Sequence, residues 1–444
     1  MAQNFLSADR DQAFLLPPDL RDWLPAGHLA WFVVDAVGAL DLGALYRDYR
    51  VDGHGRPAHD PALMVALVLY AYAVGVRSSR AIERRCHEDV AFRVLAGNLA
   101  PDHATIARFL KRHRRALADL FAQVLAMCGR AGLASVGTVA IDGTKLAANA
   151  ALGANRTYPA IRAEVERMLE QGAATDAAED ELYGDARGDE LPVELVDPAS
   201  RRARLQQLAR ELEAEDVARR AAWEQTERDR AEHRQRTGKN PPGRPPQPPP
   251  ADALGRAVRN TTDPDSRPMR LRGMPIQGYN AQIVANEQQI ILAAEITNHA
   301  TDVRQLAPML NAAQANLRDA AIDEPIRTVI ADAGYFSLAH IAAVRATGTT
   351  VLIPPNAPNR TTPRHRPTRD GPVSRQMTSM LDTPEGQRLY RRRQVMVEPV
   401  FARTKHHRGI TRLLRRGLAA CQAEWTLIAT GHNLLKLYSA SRPA

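Results

Sequence analysis

In GTVAIDGTKLAANA (residues 137–150) a β-branched and apolar run, Thr138 to Ile141, ends on Asp142. Such a run predicts a short buried strand, and a carboxylate at its C-terminal end is costly to bury unless it has chemistry to perform. On the N-terminal side the pattern is helical. Asp60 and Pro61 supply an N-cap and a first-turn residue for an apolar helix through Val76, and Ser78 or Ser79 can cap a second over RSSRAIERRCHEDVAFRVL. A third helix begins near PDHATIARFLKRHRRAL, and Arg77, Arg80, Arg84, Arg85, Arg108, Lys111, Arg112, Arg114 and Arg115 are expected on polar faces, compatible with a helix-turn-helix-like DNA-binding module.

On the C-terminal side the chain first departs from the strand. From Arg156 to about Arg236 it is charge-dense, with a short leucine seam at Leu205, Leu208 and Leu212, and it ends in PPGRPPQPPP (residues 241–250), seven of whose ten residues are Pro. This reads as an insertion, helical and then a stiff polyproline linker, either an embellishment whose leucine seam contacts DNA or a second copy, or a disordered spacer. Regular structure resumes as a hairpin, Tyr279 to Val284 and Ile290 to Thr297, then a helix from Asp302 to Leu317. RTVIADAGYF gives a strand ending at Asp332, Ser337 to Ala346 a helix, and TVLIPP a strand stopped by Pro354 and Pro355. After a Pro- and Arg-rich loop, the segment around Glu398 is mainly helical, Pro399 being tolerable only where a helix starts or kinks, and an amphipathic helix closes the chain. The expected fold is therefore a multidomain α+β and α/β chain: a helical N-terminal DNA-binding domain (1–130), the first part of a mixed-sheet core (131–155), the insertion (156–255), and the rest of the core with basic C-terminal helices (256–444).

Composition excludes other classes. With 444 residues, 44% of them hydrophobic, the chain can bury a sizeable core. Its longest apolar run, Ala62 to Val76, falls short of the roughly 20 residues a bilayer-spanning helix needs, and no basic region precedes an apolar one at the N-terminus. No membrane association is expected, and the expected compartment is the cytoplasm. Cys86, Cys128 and Cys421 form neither a disulfide framework nor a zinc-ligand spacing. The net charge of +9 is local: Arg360 to Arg416 holds 15 Arg and Lys against four acids, which suits a phosphate backbone.

Three acids stand at telling places. Asp142 and Asp332 end strands and Glu398 lies on the last major helix; strand ends of an open sheet gather at one edge, where ligands bind. Three carboxylates there suit Mg²⁺ or Mn²⁺, and two such ions can activate a nucleophile and stabilise the leaving oxygen of a phosphodiester. Each acid has a plainer reading when taken alone, Asp142 as a turn cap before Gly143 and Glu398 as a solvated helix acid. His406 and His407 are adjacent and cannot both face one metal on a helix. Glu295 and Asp302 are acids beside the core strands and stand as lesser candidates for a direct catalytic role.

Together, AIDGTK, YNAQIVANEQQIILAAEITNHATD, VIADAGYFS and YRRRQVMVEPVFARTKHHRGITRLLRRGL resemble an insertion-sequence DDE transposase with an RNase H-like catalytic domain. The block from Gly53 to His113 resembles the helical domain that precedes that core in one bacterial branch, and NTTDPDSRPMR (residues 260–270) resembles the family too. The resemblance implies that Asp142, Asp332 and Glu398 form a triad holding two Mg²⁺ or Mn²⁺ ions. It also matches Tyr390, Arg393 and Lys405 to the residues around the glutamate, and with Arg408 these are expected to hold DNA. The partners implied are double-stranded DNA, as terminal inverted repeats and as target, and a second copy of the chain on paired ends. The implied activity is metal-dependent strand cleavage and strand transfer. The alternatives are a transposase-derived DNA-binding protein without activity, or a nuclease of the same fold that does not join strands.

Overall fold

The computed structural model describes residues 19–49, 57–172, 198–241, 245–355 and 371–442. The Pro- and Arg-rich loop and part of the insertion lie outside these. Helices α1 (Leu29–Gly38), α2 (Gly43–Tyr46), α3 (Pro61–Ala73), α4 (Ser79–Glu88), α5 (Val90–Leu95), α6 (His103–Arg112) and α7 (Arg114–Arg130) come first. α3 begins as its sequence dictates: the Asp60 carboxylate accepts from the Ala62 amide at 2.7 Å, with Pro61 in the first turn. It is apolar on every side, so it must be enclosed, and from Met64 to Ala73 every residue is buried. Among the described residues, no helix is long and apolar enough to cross a membrane.

Strand β1 (Thr138–Ala147) follows, and the chain then leaves the sheet through β2 (Asn155–Thr157), α8 (Tyr158–Gly172), the 40-residue α9 (Pro198–Thr237) and β3 (Val258–Asn260), which pairs with β2. The leucine seam is spent within the chain: Leu205, Leu208 and Leu212 are buried with Ile161 and Val165 in a small core between α8 and α9. From residue 245 on, the proline run lies against α9 as a brace, where Trp223 Nε1 donates to the Pro246 carbonyl at 3.3 Å and Arg220 Nη2 to that of Ala251 at 3.4 Å.

The sheet is completed by β4 (Arg267–Leu271), β5 (Met274–Asn286), β6 (Ile291–Thr297), β7 (Thr328–Ile330) and β8 (Thr350–Leu352). Its order is β4-β5-β1-β7-β8, with β6 also on β5. β1 runs antiparallel to β5, with Asp142 opposite Ile283, and parallel to β7. This mixed sheet with flanking helices is consistent with an RNase H-like core. Two expectations need correction. β1 does not end at Asp142 but continues to Ala147, because β5 is long enough to pair with all of it. NTTDPDSRPMR contributes an unforeseen edge strand, β4.

Helices α10 (Leu306–Asp319), α11 (Leu338–Ala346), α12 (Pro372–Asp382), α13 (Pro384–Ala402) and α14 (Leu418–Ser441) cover the sheet. Pro399 lies inside α13 instead of starting it. Lacking an N–H, it frees the Val395 carbonyl, which accepts from Gln289 Nε2 of the β5–β6 turn at 3.0 Å. One π-helical turn, Arg403–His407, continues α13.

α14 packs against α3, α7 and β6, so one apolar core runs from the helical half into the sheet. At this junction Gly75 has φ +87° and its missing Cβ would stand 2.5 Å from the Arg408 carbonyl oxygen. Gly75→Ala meets both left-handed strain and a backbone clash, and is expected to cost at least about 2 kcal/mol of stability. A denaturant midpoint unchanged from wild type would contradict that packing.

Candidate active site

Asp142 lies mid-sheet on β1 and faces α13. Its Oδ2 accepts from Arg393 Nη1 at 2.9 Å, and its Oδ1 from the Gly143 amide at 2.8 Å. Burial raises its pKa to about 6; Arg393 and the Gly143 amide oppose the rise, while Asp332 and Asp302 add to it. Asp332 stands two residues beyond β7, the parallel neighbour of β1, where it caps a tight turn by accepting from the Gly334 amide at 2.7 Å. The two acids thus reach one edge because their strands are paired directly.

Burial acts against the charge on the Arg393 guanidinium, yet Asp142, Tyr390, Asp332 and Glu398 outweigh it and raise its pKa. Tyr390, one turn earlier on α13 and half-buried, has its hydroxyl pKa raised by burial, with Asp332 and Asp142 contributing and Arg393 opposing. Glu398 is exposed and lies five residues past Arg393, about 140° further round the helix. It is near enough for Arg393 to feel its charge, but it does not join the two aspartates.

Lys405, in the π turn, reaches β1: its Nζ donates to Thr144 Oγ1 and, at 3.1 Å, to the Lys145 carbonyl. Burial lowers its pKa, as do Arg272 and Lys145. Arg408 turns inward. Its Nη1 donates to the Ile428 carbonyl and its Nη2 to Thr404 Oγ1, both at 3.0 Å, so it anchors the π turn to α14. Asp302, a lesser candidate in the sequence, stands beside the aspartates, and three residues that the sequence did not single out hold it or its partners: Asn280, Gln282 and Tyr335. A signal existed for two of them, since Asn280 and Gln282 put amides two apart, on one face of β5.

Among the described residues, no three His, Cys, Asp or Glu side chains form a group that could hold a metal ion as they stand. The donor set nevertheless fits a hard divalent cation: it consists of carboxylate oxygens. Asp142 is disfavoured as an anion by burial and by neighbouring carboxylates, and a bound cation would relieve both. The missing Cβ of Gly334 also leaves space between Asp332 Oδ1, 2.8 Å from where it would be, and Asp302 Oδ2, 3.6 Å from it.

Two family models match the chain. One, described as a transposase domain (DUF772), covers residues 18–112, and the other, described as a transposase DDE domain, covers residues 257–434. β1, with Asp142, lies in neither, yet it sits at the centre of a sheet whose other strands come from the second match. No curated protein and no solved structure matches the chain.

Proposed function

We propose, from the premise that this chain belongs to the insertion-sequence DDE transposases, that it binds the terminal repeats of its element and catalyses metal-dependent strand cleavage and strand transfer. The observation that carries this reading is the meeting of Asp142 and Asp332, from directly paired strands, beneath the Arg-lined α13. Asp142 and Asp332 would hold the divalent ions, with Glu398 completing one site once α13 is pressed against DNA. When bound, Mg²⁺ or Mn²⁺ supplies activation of the attacking oxygen and stabilisation of the leaving one.

In this mechanism water attacks the phosphodiester at the element end, an oxygen–phosphorus bond forms, and the 3′ oxygen leaves as a hydroxyl. That hydroxyl then attacks target DNA by in-line displacement, so the chain needs no covalent intermediate. Tyr390, Arg393 and Lys405 would hold phosphates beside the scissile bond, Arg393 exchanging its contact with Asp142 for a phosphate oxygen. Arg80, Arg84, Arg108 and Lys111 are exposed on α4 and α6 and would position the helical half on the repeat. Cutting both ends together calls for two copies on paired DNA ends.

Incubating the full chain with labelled DNA carrying the terminal repeats, target DNA and Mg²⁺ or Mn²⁺ tests this. Joined products are expected. Broken ends without joining would instead make it a nuclease, and binding without nicking in any metal would make it a DNA-binding protein alone.

A further inference from the structure

Asp302 lies just before α10, near enough to Asp142 to raise its pKa and beside the Gly334 turn of Asp332, and its carboxylate is built in. Oδ1 accepts from Asn280 Nδ2 and Gln282 Nε2, both at 2.7 Å, and from Lys145 Nζ at 3.4 Å. The two amides are fully buried and themselves held: Gln282 Nε2 also donates to Asn280 Oδ1 at 2.9 Å, Asn280 Nδ2 to the His299 carbonyl at 3.2 Å, and the buried Tyr335 hydroxyl to Gln282 Oε1. Three donors fix one oxygen, and Oδ2 is left beside Gly334.

The glycines of both acid-bearing motifs make room for this carboxylate. A Cβ on Gly143 would collide with Gln282 Nε2 and stand 2.9 Å from Asp302 Oδ1. A Cβ on Gly334 would fill the space between Asp302 Oδ2 and Asp332 Oδ1. Each aspartate motif therefore presents a bare backbone to the same third acid. A buried amide network that orients one carboxylate oxygen and frees the other is the outer shell a metal ligand requires.

We propose that Asp302 is a further carboxylate ligand of the divalent metal site, acting with Asp142 and Asp332. This rests on the reading of that site as a metal centre. Its test is Mn²⁺ titration of the full-length protein without DNA, with free Mn²⁺ followed by electron paramagnetic resonance. Asp302→Asn keeps an oxygen for the Asn280 and Gln282 amides, so the fold should hold while Mn²⁺ affinity drops about tenfold or more. Gly334→Ala, which changes no charge, is expected to weaken binding by occupying the gap. Wild-type affinity in either variant, alongside weakened binding in Asp142→Asn, would overturn the role of Asp302. Wild-type affinity in Asp142→Asn as well would overturn the metal centre itself.

Discussion

Strand cleavage by Asp142→Asn in Mg²⁺ is expected to fall at least about 10³-fold, the rate equivalent of several kcal/mol of lost transition-state stabilisation. The substitution keeps the shape of the side chain and removes only the charge that would bind the cation. β1 should remain in place, because β5 and β7 pair with it on both sides. Stability is also expected to be nearly kept, since burial already disfavours the ionised carboxyl and offsets the loss of its contact with Arg393. A folded Asp142→Asn protein that cuts at the wild-type rate would end the assignment. Asp332→Ala should behave alike, and Glu398→Gln should separate cleavage from DNA binding if α13 closes on the end.

The largest expected effect on stability lies far from this edge. Glu424 on α14 is 2% exposed and pairs with Arg77, while also accepting from the Leu414 amide at 2.9 Å and the Arg415 amide at 2.9 Å. Burying one carboxylate is tolerable here because three groups, the Arg77 guanidinium and the Leu414 and Arg415 amides, converge on it. Its neighbours matter to the site: the Leu413 amide donates to the Ala147 carbonyl at the end of β1. Glu424→Ala strands the Arg77 guanidinium and is expected to cost about 3–5 kcal/mol. Arg77→Met leaves the opposite charge alone and should cost a similar amount, whereas the double variant should lose less than the two added together. Additive shifts in urea midpoint would show that the pair carries no coupling.

Much of this arrangement was legible in the residues. Asp60-Pro61 starts α3, the apolar runs around the Asn286 turn mark the hairpin, and Asp332 follows its strand as its flanking glycine implies, whereas Asp142 lies inside β1 and does not end it. What could not be read was long-range compensation. Pro399 signals a broken helix unless Gln289, more than a hundred positions away, caps the freed carbonyl. Leu205, Leu208 and Leu212 look like an oligomer seam unless α8 covers them. Arg408 carries the same formal charge as Lys405, and only the fold turns one inward and lays the other against β1. Asp302 could not be ranked above Glu295 for a related reason: it gains meaning from two amides of β5 and from the glycines beside Asp142 and Asp332.

The place of β1 also sets a timetable for the protein's birth. Both of its partner strands are encoded after the excursion through α8 and α9, β5 starting at Met274 and β7 at Thr328. At ribosomal speeds of about 5–20 residues per second, the Val139–Ile141 segment waits roughly 10–40 s for β7. The helices before it and the small core between α8 and α9 can form locally in that interval, while the central strand stays unpaired and prone to wrong associations. The acids of the paired strands therefore come together only once β7 has been made, and until then the candidate site does not exist on the nascent chain.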